Sequence, residues 1–85
     1  MADNHILIAD DEPLTRQSLY EILKFEGYRV TTAKDGLEAL GLIEKLLPDI
    51  VISDMKMPGM EGLQLVKEMK ARGLEIPVIL ITGYG

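Results

Sequence analysis

Three aspartates carry the chemistry open to this sequence. Asp10 and Asp11 follow the apolar run Ile6-Leu7-Ile8-Ala9, and Asp54 follows Ile50-Val51-Ile52-Ser53. If the two runs are neighbouring strands, about 4.8 Å apart, all three carboxylates emerge side by side at one edge. Two such charges about 4 Å apart repel by about 4 kcal/mol at an effective dielectric near 20, so three of them call for a compensating charge. A hard divalent cation supplies it, and magnesium suits one or two carboxylates, a carbonyl, waters and a phosphate oxygen. One carboxylate oxygen then stays free to attack phosphorus, as the nucleophiles that become aspartyl phosphates do.

The elements that must position these acids can be read from punctuation and period. Ile6 to Ala9 is continuous apolar sequence, as in a strand buried on both faces, and it stops where the acids begin. Pro13 opens a helix over about residues 13–26, with Thr15, Ser18, Leu19, Ile22 and Leu23 at helical spacing and Gly27 as its stop. Tyr28 to Ala33 alternates and is β-branched, as a strand near a sheet edge is. Asp35-Gly36-Leu37-Glu38 is close to a capping box for a helix striped by Leu40, Ile43 and Leu47, and Pro48 blocks its continuation.

Ile50 to Ser53 is the third strand, and a loop containing Pro58 and Gly59 follows. Leu63, Val66 and Met69 mark a third helix, with Lys67, Lys70 and Arg72 toward the end where cations suit the dipole, and Gly73 closes it. Val78 to Ile81 reads as a fourth strand, again buried on both faces. The order β-α-β-α-β-α-β gives an α/β fold with a parallel sheet, because right-handed crossovers return the chain to the same end each time. Chemistry then belongs at the carboxyl ends of the strands.

With 85 residues the chain is one domain. A chain of this length hides only about 60–65% of the surface its unfolded form exposes, so every element must contribute to the core. Lys+Arg 9 against Asp+Glu 14 leaves a net charge of −5, which argues against nucleic-acid binding, whose affinity comes from cations on phosphates. The absence of cysteine excludes disulfides and thiolate zinc. No signal-peptide pattern begins the sequence, and no apolar run approaches the roughly 20 residues of a membrane span. The expectation is a soluble, cytoplasmic protein without membrane partners.

Taken together, Ile8-Ala9-Asp10-Asp11-Glu12-Pro13, then Asp54-Met55-Lys56-Met57-Pro58-Gly59-Met60-Glu61-Gly62, then Thr82-Gly83, resemble the receiver domains of two-component response regulators. The second motif is highly specific, the first is weak alone, and their order and spacing add to both. The resemblance implies a doubly wound, flavodoxin-like sheet with strand order 2-1-3-4. It implies Asp54 as phosphoacceptor and magnesium ligand, Asp11 as a direct and Asp10 as a partly water-mediated magnesium ligand, and the Lys56 backbone carbonyl as a further ligand. Thr82 would bond the incoming phosphoryl group and carry the signal onward. The donor would be a phosphohistidine on a sensor histidine kinase, and the output a downstream effector domain.

A complete receiver adds a fourth helix, a fifth strand and a fifth helix, so residues 1–85 read as a receiver lacking that α-β-α portion. The lysine that pairs with the phosphate belongs to the fifth strand, and neither Lys56 nor Tyr84 matches its place. Val78 to Ile81 becomes an open edge that invites a second copy or another partner.

Other readings stand beside this one. Glu12 more simply favours the positive end of the first helix, and Asp54 could cap the third. His5 starts a strand away from the acids. Met55, Met57 and Met60 read as packing or as partner surface, and Gly62 as a close approach or merely a tolerated glycine. At the level of function, one rival is an interaction module that is never phosphorylated. Another is a haloacid-dehalogenase-like phosphatase, which favours two aspartates spaced by one residue, whereas Asp10 and Asp11 are adjacent.

Overall fold

The computed structural model describes residues 4–81. Four strands, β1 (His5–Ala9), β2 (Arg29–Ala33), β3 (Ile50–Asp54) and β4 (Val78–Ile81), alternate with helices α1 (Pro13–Phe25), α2 (Gly36–Leu46) and α3 (Gly62–Ala71). All pairings are parallel, and the sheet order is β2-β1-β3-β4. This is the doubly wound order expected from the resemblance. β1 is central and buried along its whole length, because strands flank it and helices lie over both of its faces.

Alternation divides the apolar residues between the faces. Leu7, Ala9 and Val51 join Ala39, Leu40, Ile43, Leu65 and Met69 of α2 and α3 in the main core. α1 lies against β1 and β2. No residue of α1 is fully buried, and Leu14, Ile22 and Phe25 are exposed. The Thr15, Ser18, Ile22 stripe is therefore not a buried one; only Leu19 and Leu23 of that set are half-covered.

Two other expectations shift. β4 is half-buried rather than buried on both faces, with Ile79 48% exposed; among the described residues it is the outer strand beside β3, the open edge expected of it. In α3 the inward residues are Gly62, Leu65 and Met69, while Leu63 is exposed.

The helix ends follow the local chemistry. Asp35 caps α2 by accepting from the Glu38 N–H at 2.8 Å, and Glu38 reaches back to the Lys34 N–H at 2.8 Å, one residue beyond the usual capping-box partner. At its other end α2 closes on Leu47, which adopts φ +49° and lies exposed rather than on the buried stripe, immediately before Pro48.

Candidate functional site

The β1–β3 register, Ile6↔Ile50 through Ala9↔Ser53, brings the two acid-bearing strand ends level. Carboxylate oxygens of Asp10, Asp11 and Asp54 accordingly lie within 4.8 Å of one another. The meeting expected of three acids distant in sequence therefore occurs. They differ in burial: Asp10 is 2% exposed, Asp54 half-buried and Asp11 exposed.

Burial pushes the Asp10 carboxyl above its ordinary value of 3.8. The Glu12 N–H, donating to Asp10 Oδ1 at 2.9 Å, pulls the other way; the charges of Asp54 and Asp11 raise it further, and Arg16 lowers it. Asp10 is thus a buried acid beside two others, whose repulsion the charge of Arg16 offsets only in part, so that a bound cation would favour its ionised form further.

The donor set is all oxygen, as magnesium requires, and the 4.8 Å spread compares with the about 4 Å that separates opposite ligands around that ion. The three acids fit a hard divalent cation, and this cluster could hold one. The Lys56 N–H donates to Asp54 Oδ1 at 3.4 Å, so this loop residue sits beside the expected nucleophile. Thr82 lies outside the described residues.

The backbone under Asp54 is fixed from two sides. The Met55 N–H donates to the Ile81 carbonyl and the Gly62 N–H to the Met55 carbonyl, each at 2.9 Å. A Cβ on Gly62 would meet the Asp54 carbonyl oxygen at 2.5 Å and Leu80 Cδ2 at 2.9 Å, so the close-approach reading of this glycine holds. Met57 and Met60 are buried in the core, which settles their role as packing. A Cβ on Gly36 would meet the Met60 carbonyl oxygen at 2.5 Å, so the loop after β3 is also seated against the start of α2.

Glu12 is the N-cap of α1, its Oε1 accepting from the Leu14 N–H at a long 3.5 Å. Asp54 is not a cap, since α3 begins eight residues later behind Glu61. His5 is buried at the opposite end of β1, its Nε2 2.7 Å from Thr31 Oγ1.

Sequence reasoning missed Arg16, whose Nη1 donates to the Asp10 carbonyl at 2.7 Å. A signal was present. Arg16 is a cation in the first turn of α1, where the helix dipole disfavours it, unless something negative nearby compensates.

The sequence matches the family model described as the response regulator receiver domain over residues 6–85. It is 44% identical over 85 residues to sporulation initiation phosphotransferase F of Bacillus subtilis, covering all of this chain and 68% of that protein. It is 40% identical over 77 residues to response regulator MprA of a Mycobacterium strain, covering 91% of this chain but only 34% of the relative. Among solved structures, response regulator protein TrrA of Thermotoga maritima, in complex with Mg2+ and BeF, superposes with a TM-score of 0.89 at 40% identity, over 96% of this chain and 71% of that one.

Proposed function

The chain belongs to the response regulator receiver domain family of two-component phosphorelay systems, and from that membership we propose that Asp54 is its phosphoacceptor. Such domains are regulatory modules and not enzymes in the ordinary sense. On this reading an Asp54 carboxylate oxygen attacks phosphorus, forming an acyl phosphate as the bond from phosphorus to the donor's histidine nitrogen breaks. The donor's ring takes up a proton from solvent and departs as neutral imidazole, and water later hydrolyses the acyl phosphate, restoring the Asp54 carboxylate and releasing inorganic phosphate.

Asp11 and Asp54 directly, Asp10 partly through water, and the Lys56 backbone carbonyl would hold magnesium. Bound there, the ion offsets charge on the transferring group while the protein supplies position. For Asp10 the ion would add to the partial compensation that Arg16 already gives. Thr82 would hydrogen-bond the phosphoryl oxygens. The donor would be a sensor histidine kinase and the recipient of the signal an effector domain. Residues 1–85 would correspond to the β-α-β-α-β-α-β portion of a receiver, a view in keeping with the 68% of the phosphotransferase relative that they span.

The observation that carries the proposal is the convergence of Asp10, Asp11 and Asp54 at the carboxyl edge of the sheet, in a member of this family. The TrrA structure, described with Mg2+ and BeF, supports magnesium as the ion. The test is intact-mass measurement of the full chain after incubation with magnesium and a small phosphodonor. One phosphoryl group should be gained, and none by the Asp54→Asn variant or in the presence of a chelator. Undiminished labelling of the Asp54→Asn variant would end the assignment.

A further inference from the structure

Asp10 is fixed at three points, and the third comes from outside the sheet. Its N–H donates to the Ala33 carbonyl at 3.1 Å, and its Oδ1 accepts from the Glu12 N–H at 2.9 Å. Its carbonyl lies beyond both ladders of β1, which end at Ala9↔Ala33 and Ala9↔Ser53. A buried peptide carbonyl left without a donor is costly. Arg16 Nη1 supplies the donor at 2.7 Å, from a half-buried position on α1. The guanidinium thus bonds an uncharged acceptor on the backbone, although three carboxylates stand close by.

We propose that Arg16 is a positioning residue for the acidic centre. By clamping the Asp10 carbonyl it fixes the peptide path from Ala9 to Asp11, and with it the direction in which the Asp10 and Asp11 carboxylates are presented to a divalent cation. This rests on the reading of Asp10, Asp11 and Asp54 as the magnesium and phosphoryl site.

The guanidinium affects that site in two opposed ways, and the opposition makes the claim testable. As a charge it repels an incoming cation, so its removal would tighten binding. As a clamp it orders the ligands, so its removal would weaken binding; groups that orient metal ligands from behind change affinity by about 10–100-fold. The clamp dominates, because a misdirected ligand contributes nothing whatever the field.

The test is calorimetric magnesium titration of the full chain as wild type, Arg16→Met, Arg16→Gln and Arg16→Lys, with circular dichroism and thermal unfolding of each variant in chelator. Arg16→Met should lose about tenfold or more in magnesium affinity while its metal-free spectrum stays native. Arg16→Gln, which keeps an N–H donor without the charge, and Arg16→Lys, which keeps both, should each recover part of the loss. If Arg16→Met does not fold, the Gln and Lys variants decide the matter by the same comparison. Magnesium binding by Arg16→Met as tight as or tighter than wild type would overturn the clamp. So would a loss in Arg16→Met that neither Gln nor Lys recovers, since restoring a donor would then not restore the site. Failure of the wild-type chain to bind magnesium would overturn the site reading and this inference with it.

Discussion

Asp10 is the residue at which the cost of the site is concentrated. It is 2% exposed, and burial first, then the neighbouring charges of Asp54 and Asp11, raise its carboxyl above 3.8. Between 3.8 and that raised value the folded chain holds a proton that the unfolded chain has released, so stability falls as pH rises through this window. The contribution is complete below 3.8 and gone above the folded value. Asp10→Asn removes the repulsion, for which about 1 kcal/mol, the interaction of two charges about 4 Å apart in bulk water, is a floor. In chelator at neutral pH it should therefore stabilise the chain by about 1 kcal/mol or more, and the advantage should vanish below 3.8. Urea unfolding across this pH range checks it; a neutral-pH loss of stability would contradict the charge argument. The same substitution should weaken magnesium binding. That three acids would meet was legible from sequence, since each ends an apolar run. That Asp10 would be the buried one was not, because burial depends on what α1 and Arg16 place over it.

The elements were readable where sequence alone determines them and misread where a neighbour does. β1 and β3 announce themselves as apolar runs ending in acids, and α2 by its Asp35 cap and the Pro48 stop. Of the three residues that mark α3, Met69 is buried and Val66 half-buried, while Leu63 is exposed and Leu65, not singled out, is buried. Its own periodicity does not show that Gly62 sits against the Asp54 carbonyl, a contact made only in the folded chain. β4 reads both as apolar on its two faces and as an open edge. It is the outer strand among the described residues, but its faces are only half-covered, because a run of Val-Ile-Leu-Ile does not say what lies over it. Two glycines separate local preference from contact. Gly41 is exposed within α2, and a Cβ there meets nothing within 4 Å, so Gly41→Ala should stabilise by about 0.4–1 kcal/mol through helix propensity and a restricted unfolded state. Gly62→Ala, at the first position of α3, gains less from helix propensity, and its Cβ would lie 2.5 Å from a backbone oxygen. Overpacking of this kind costs about 1–3 kcal/mol, so the net change should be a loss, accompanied by slower phosphorylation as Asp54 shifts. Denaturant midpoints for the pair test this directly, and equal effects at both positions would refute the close approach.

At the scale of the molecule, an acidic chain with net charge −5 gathers three of its carboxylates at one sheet edge and keeps one of them buried. The parallel α/β architecture was legible from the alternation of strand and helix alone; the order 2-1-3-4 came from resemblance, because no local residue encodes which strands are neighbours. No helix among the described residues is long and apolar enough to cross a membrane. In metal-free form the fold carries this like-charge repulsion as a standing cost, and a cation that binds only the folded state stabilises it through mass action. At a hundredfold excess over its Kd the gain is about 2.7 kcal/mol, and for a domain of this size each kcal/mol moves Tm by about 4–8 °C. Saturating magnesium should therefore raise Tm by about 10–20 °C over a sodium chloride control of matched ionic strength. Asp11→Asn should abolish most of that rise, because it removes a ligand. General screening would relieve the same repulsion without needing any one geometry, so an equal rise in sodium chloride alone would show that the cluster is merely tolerated charge. A rise confined to the divalent ion, and lost with Asp11, requires that the folded chain bring the strand-end acids together as one coordinating unit.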